Sequence, residues 1–286
     1  MSTLTTHTTA SRDSHSIGLC KFNTTSNAIE VSDGTNWQVY NPDTATGWSG
    51  SNAYSLNFDG TDDYLSSSSV ITSTATAGTV SAWVKTSVTS GSQFVWTQTD
   101  KTQIGDSKYV SFSLSGQLAR LQVNTGSGVT QVLGNVTLAA NTWHHIMWVS
   151  TGTAYKIYTN GTENTLTVSP GSNNGNWFGD VTNLDTSSVG CQDRYSGRVA
   201  FFNGNIDELA VWDSDQSSNI STIYNSGTPG DLSSLSPKAW WRMGDGAEAN
   251  SGTTIYDMSL FSNNLTIVNA TGGTNTSGAD YQTDAP

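Results

Sequence analysis

The stretch "FNGNIDELAVWD", residues 202–213, sets two acids side by side in the most apolar run of the C-terminal half of the chain. Val199, Ala200 and Phe201 lead into it, and Leu209, Ala210, Val211 and Trp212 carry it to its end. A strand alternates its faces, so Ile206, Glu208, Ala210 and Trp212 are expected on one side and Asp207, Leu209 and Val211 on the other. Each acid then stands among large apolar neighbours, where an unsatisfied carboxylate is costly. Three roles are open to the pair: catalysis, a cation, or the end of a strand.

Outward from this run, short β-branched and aromatic stretches follow one another from Tyr54 onward. They include "YSLNF", "GTVSAWVKT", "SQFVWTQT", "YVSFSLS", "LARLQVNT", "TWHHIMWVST", "TAYKIYTNG", "AWWRMG" and "LTIVNA". Turn residues separate them at short intervals, which predicts an all-β sandwich and not βαβ units. Only "DQSSNISTIYNSG", residues 215–227, reads as a helix. Ser217 or Ser218 is its expected cap, Ile220, Ile223 and Tyr224 its apolar stripe, and Gly227 its stop.

The N-terminal part is organised differently. Residues 1–16 are polar and unpatterned and are expected to be a flexible arm. Residues 17–41 read as three short strands, with Asp33-Gly34 as a hairpin signal. Such a unit buries too little to stand alone and is expected to attach to a partner or to oligomerise. Residues 42–52 are a linker by composition, which leaves residues 53–286 for the sandwich.

The chain has 286 residues, a formal net charge of −12, and only 12% charged residues. With no basic patch to displace phosphate counterions, nucleic acid is not expected as a partner. No run is long and apolar enough for a membrane helix, so membrane insertion is not expected either. The 10 Trp, 10 Tyr and 8 Phe are spread along the chain and argue for a packed core in spite of the polar composition. Cys20 and Cys191 lie far apart without metal-ligand spacing, which leaves two unrelated thiols or a single disulfide. The first residues lack the apolar segment of a secretory signal although the composition looks extracellular, an expectation that fits a particle released by lysis.

The stretches "SLNFDGTDDYL" (55–65), "GTVSAWVKT" (78–86), "TWHHIMWVSTGTAYKIYTNGT" (142–162) and "FNGNIDELAVWDSDQSSNISTIYNSG" (202–227) resemble, in this order, laminin-G-like domains of the concanavalin A-like superfamily. The resemblance implies a jelly-roll sandwich of two curved antiparallel sheets over residues 50–286. Function is less determined, since this fold serves lectins, adhesins, glucanases and structural modules. Residues 17–37 are similar to short β segments of phage tail and fibre proteins. Residues 237–269 are similar to the C-terminal part of laminin-G-like proteins of tailed phages.

Glucanases of the superfamily carry Glu, Asp and Glu at alternate positions of one strand, and retaining chemistry needs two carboxyls about 5–5.5 Å apart. The matching positions here are Asn205, Asp207 and Leu209, so the catalytic pair is missing and hydrolysis is not expected. His144 and His145 are adjacent on a strand and face opposite sides, one expected in the core and one on the outer face, which excludes shared metal chelation. Some domains of this fold bind Ca²⁺ through a loop Asp and a late-strand Asp, which makes Asp59, Asp62, Asp63 and Asp207 candidate ligands. The plainer alternative is a turn at Asp59-Gly60 and an Asp207 that accepts backbone N–H groups. Trp177, Phe178 and Tyr195 lie in polar loops, where their rings either stack on a sugar or anchor the loop.

The resemblance leads to the expectation of a non-enzymatic virion structural protein of a tailed phage, of tail-fibre, head-fibre or decoration type. It would attach to other virion proteins through residues 1–41, as a homo-oligomer such as a trimer, and display the sandwich toward a host surface or glycan. The alternative is a stand-alone carbohydrate-binding lectin module; a glycoside hydrolase comes third.

Overall fold

The computed structural model describes the backbone of residues 5–7, 20–23, 28–32 and 37–40. It describes residues 51–102, 104–105, 108–247, 252–268 and 281–286 with their side chains. The chain divides into two compact units, residues 1–49 and 50–286.

The N-terminal unit holds β1 (Thr5–His7), β2 (Cys20–Asn23), β3 (Ala28–Ser32) and β4 (Trp37–Tyr40). They form one sheet in the order β1-β2-β3-β4. The segments after β1 are antiparallel neighbours, as short turn-linked strands must be. β1 lies in the stretch expected to be a flexible arm, yet it pairs in parallel with β2, Thr6 opposite Phe22. The other residues of the arm, and most of the linker at 42–52, lie outside the described residues.

The second unit opens with β5 (Ser55–Asp59), β6 (Tyr64–Ser67), β7 (Gly78–Thr86), β8 (Ser92–Thr99) and β9 (Lys108–Ser115). β10 (Leu118–Thr125), β11 (Val129–Thr137), β12 (His144–Ser150) and β13 (Tyr155–Thr159) follow. After the short β14 (Thr162–Glu163) and β15 (Thr167–Val168) come β16 (Thr186–Val189), β17 (Gln192–Arg194), β18 (Gly197–Val199) and β19 (Asn203–Trp212). β20 (Ala239–Trp241), β21 (Thr254–Ile255), β22 (Leu265–Val268) and β23 (Tyr281–Gln282) complete it.

Two antiparallel sheets result, the jelly-roll arrangement expected. One runs β15-β11-β10-β9-β8-β16-β6-β22-β21, the other β14-β13-β12-β7-β19-β5-β23 with β20 added on β19. Period-two patterning builds the core between them: Val110, Phe112 and Leu114 of β9 and Ala119, Leu121 and Val123 of β10 face Val80, Ala82 and Val84 of β7 and Ile146 and Trp148 of β12. At its centre Phe112 meets Trp148 across the sheets, edge to face at 5.7 Å, and Trp96 meets Trp241 at 6.4 Å. Aromatic pairs of this kind add about 0.5–1.5 kcal/mol each beyond their burial.

The outer side of the second sheet is buried as well. α1 (Ile220–Tyr224), shorter than expected and flanked by 3-10 turns, lays Tyr224 against Trp83 at 5.9 Å and against His145 at 5.7 Å. Its N-terminus lacks a side-chain cap from the expected serines; instead the Ser217 amide donates to Asp215 Oδ1 at 2.8 Å. Among the described residues no helix is long and apolar enough to cross a membrane.

Candidate functional site

β19 does not alternate as a regular strand would. Asp207 stands opposite Trp83 of β7, but the next paired residue, Ala210, stands opposite Ser81. Glu208 and Leu209 therefore share the space opposite Ala82, a β-bulge with Glu208 in the left-handed region at φ 47°. The extra residue inverts the pattern beyond it. Ile206, Leu209 and Val211 all reach the core, while Asp207 and Glu208 come out on the same side. The alternation expected from sequence, with the two acids on opposite faces, is corrected by this bulge.

Both acids are sealed. Glu208 Oε1 accepts Arg242 Nε–H at 2.8 Å, and Oε2 accepts the Trp240 indole N–H at 2.5 Å. Asp207 accepts Asn52 Nδ2–H at 2.9 Å and the Glu208 amide at 2.7 Å. Arg242 continues the network to the Ser51 carbonyl at 2.6 Å and the Asp245 carbonyl at 3.0 Å, and Asp245 accepts the amides of Ala53 and Tyr54. The acids thus fasten residues 51–54, at the entry to the sandwich, onto β19 and the segment after β20. Burial, and then the neighbouring Glu208 charge, hold the Asp207 carboxyl well above the usual carboxylate range. A pair enclosed in this way has no access to a glycosidic bond.

The acidic turn between β5 and β6 is open to a cation. The ligand atoms of Asp59, Asp62 and Asp63 lie within 4.8 Å of one another. Asp59 Oδ1 accepts the Thr61 amide at 2.7 Å and the Asp62 amide at 3.2 Å, an Asx turn that curls the loop. Asp63 Oδ2 accepts the Asp59 amide at 2.9 Å. Gly60 sits at φ 79°, and a Cβ there would meet Asn203 Nδ2 at 2.5 Å, so the tight approach of this turn to β19 requires glycine. Asp62 is 8% exposed, and neither of its carboxylate oxygens has a hydrogen-bond donor. A carboxylate placed in this way is one that a bound cation can satisfy. Three carboxylates without nitrogen or sulfur fit a hard ion such as Ca²⁺, which Asp59, Asp62 and Asp63 would hold.

Asp207 does not belong to this set, which corrects its assignment as a ligand. β19 approaches the turn through Asn203, whose Nδ2–H donates to the Asp59 carbonyl at 3.2 Å. Asp207 lies four residues further along the strand, roughly 13 Å away.

Trp177 and Phe178 are corrected as a sugar platform, since both are completely buried. Trp177 packs on Phe112 at 5.3 Å and Phe178 on Trp96 at 5.5 Å, edge to face, so the loop at 171–185 closes one side of the core. Tyr195 is 56% exposed at the turn of the β17–β18 hairpin. His145 faces the outer side of its sheet, yet it is the fully enclosed histidine of the pair, with Nε2 2.8 Å from Ser81 Oγ. Burial lowers its pKa to about 3. Cys191 is a buried free thiol, its pKa raised to about 12, first by burial.

Residues 59–219 match the family model described as the concanavalin A-like lectin/glucanases superfamily, in its laminin-G group. The chain belongs to this superfamily. No curated protein sequence matches it. Among solved structures, a protein from Bacteroides ovatus described as a candidate carbohydrate-binding protein is similar, with TM-score 0.53 and 15% identity over 76% of this chain and 58% of that one. The carbohydrate-binding module (CBM40) of the Ruminococcus gnavus IT-sialidase, bound to α2,3-sialyllactose, gives TM-score 0.48 and 13% identity over 53% of this chain and 84% of that one. A heptameric SAP-like pentraxin from Limulus polyphemus gives TM-score 0.47 and 18% identity over 60% and 82%.

Proposed function

We propose that the protein is a non-catalytic, lectin-like carbohydrate-binding module whose loop between β5 and β6 is organised by calcium. The lectin part of this reading is carried by the concanavalin A-like match over residues 59–219, and the calcium part by Asp62, buried with both carboxylate oxygens unpaired beside Asp59 and Asp63. The enclosure of Asp207 and Glu208 supports binding over hydrolysis. The fold shared with the Bacteroides ovatus protein agrees with it. A glycan-array screen of the full chain, run with calcium and with chelator, tests the reading. Binding to a defined glycan that is lost in chelator supports it; a blank array in both arms overturns it.

A second reading concerns where such a module is displayed. It rests on the resemblance to tailed-phage structural proteins read from the sequence of residues 17–37 and 237–269, and on the N-terminal strands forming a compact unit of their own. On this reading residues 1–41 dock onto other virion proteins, as a homo-oligomer such as a trimer, and the sandwich faces the host surface. Assembly onto particles after deletion of residues 1–45 removes it.

A further inference from the structure

A cleft of about 330 Å³ lies on the side of the first sheet opposite the core, where Ser66 alternates with the core residue Leu65. Ser66 and Ser68 at the end of β6, Lys101 after β8, Asp185 before β16, and Asp193 and Arg198 of the β17–β18 hairpin line it. The hairpin is fastened to the sheet by hydroxyl groups: Thr97 Oγ1 donates to the Cys191 carbonyl at 3.3 Å, and Thr99 Oγ1 donates to the Asp193 carbonyl. Asp193 and Arg198 stand directly opposite each other across it.

Asp193 is the buried charge of this cleft, 2% exposed. Its Oδ2 accepts Lys101 Nζ at 2.8 Å and Arg198 Nη2 at 3.1 Å, whereas Oδ1 is buried without a donor. The Arg198 guanidinium is held over the Tyr64 ring, 4.2 Å from its centroid. The side chains of Lys101 and Arg198 are 44% and 34% exposed, so both keep N–H groups free to turn to a ligand.

We infer that this cleft binds a neutral sugar residue, whose adjacent hydroxyls are held by Asp193, Lys101 and Arg198. The inference rests on the carbohydrate-binding reading above. Two neighbouring hydroxyls need an acceptor with spare capacity and donors beside it, which is what Asp193 and its two cations supply. Asp185 and Asp193 offset the charges of Lys101 and Arg198, which favours a neutral ring over an acidic one. The volume lies at the small end of ligand pockets and suits one sugar unit. For Asp193 to reach a hydroxyl, the exposed Lys101 ammonium turns off Oδ2 and donates to the sugar in its place, so its loss removes a donor. The backbone of β6 runs from the acidic turn toward this cleft, which Ser66 and Ser67 line.

The test titrates the full chain with methyl glycosides of glucose, galactose and mannose and with N-acetylneuraminic acid. Titrations follow ligand-observed NMR, alongside the glycan array. Ser68→Trp changes an exposed position at the cleft and is checked for unaltered melting; Lys101→Ala also removes a donor to Asp193, so its binding is measured at a temperature where its melting curve shows the fold retained. The expected result is binding of a neutral hexoside, weakened at least tenfold by Lys101→Ala and blocked by Ser68→Trp. Array binding that survives both variants places the sugar elsewhere and overturns the inference while the lectin reading stands. Binding of the acidic sugar alone at this cleft overturns the ligand class. A wild-type chain that binds no glycan on the array overturns both readings.

Discussion

The Arg242 guanidinium donates to Glu208 Oε1 at 2.8 Å with both side chains shut off from solvent, across 34 residues of sequence. This ion pair lets β19 carry a bulge with a glutamate in the left-handed region, a conformation that costs roughly 1–2 kcal/mol for a residue with a Cβ. The charge that would be expensive in the apolar run is matched by a guanidinium delivered from the segment after β20.

Removing one partner leaves the other charge buried and alone. Arg242→Met is expected to lower stability by about 3–5 kcal/mol. Urea unfolding followed by tryptophan fluorescence measures it. A loss below about 1 kcal/mol shows that Glu208 is held by Trp240 and not by the ion pair.

Asp207 acts in the opposite direction. Its folded carboxyl sits above the ordinary value of 3.8, so the folded state binds the proton more tightly than the unfolded one. The stability this contributes is present at acid pH and is lost as pH rises from about 4 through the raised value. Asp207→Asn keeps an acceptor for the Glu208 amide and is expected to remove that decline, with equal or greater stability at pH 7. Urea midpoints from pH 4 to pH 8 check the slope; identical slopes in both proteins refute it.

His145 contributes on the acid side. Its pKa is lowered from 6.5 to about 3 by burial, so its share of stability is complete above pH 6.5 and is lost as pH falls toward 3, at up to about 1.4 kcal/mol per unit. Replacement by glutamine is expected to flatten the acid limb between pH 6.5 and 4. The same urea series on His145→Gln gives the answer.

Calcium is expected to raise the melting temperature of the wild type. At a hundred times Kd the gain is about 2.7 kcal/mol. Asp62→Asn is expected to abolish that shift and to melt no lower than wild type in chelator, since one of three crowded carboxylates is gone. Differential scanning calorimetry with calcium and with EGTA distinguishes the two states. A calcium shift retained in Asp62→Asn removes the site.

The aromatic loop separates packing from binding. Trp177→Ala is expected to cost about 3–5 kcal/mol through lost core contacts, and Tyr195→Ala less than about 0.5 kcal/mol at its exposed turn. Denaturation curves of the two variants, recorded side by side, test the contrast.

Alternating apolar positions in β7, β9, β10 and β12 made the antiparallel sandwich legible in the sequence, because the period of two is a local property of the chain. The acidic turn was legible for the same reason: Asp59, Gly60, Asp62 and Asp63 are neighbours in sequence, and glycine marks the close approach. Tertiary structure decided what depends on distant partners. The bulge at Glu208 is recognised only from the register of β7 against β19, and its cation arrives from Arg242. Trp177 and Phe178 sit in a polar segment that looks exposed locally, yet Phe112 and Trp96 supply an apolar gap that they fill. Lys101 and Asp193, 92 positions apart, meet because the β17–β18 hairpin folds over β8. Patterning along a chain reports which side of a strand is apolar; which charges and rings face one another is determined by how the strands are registered and stacked.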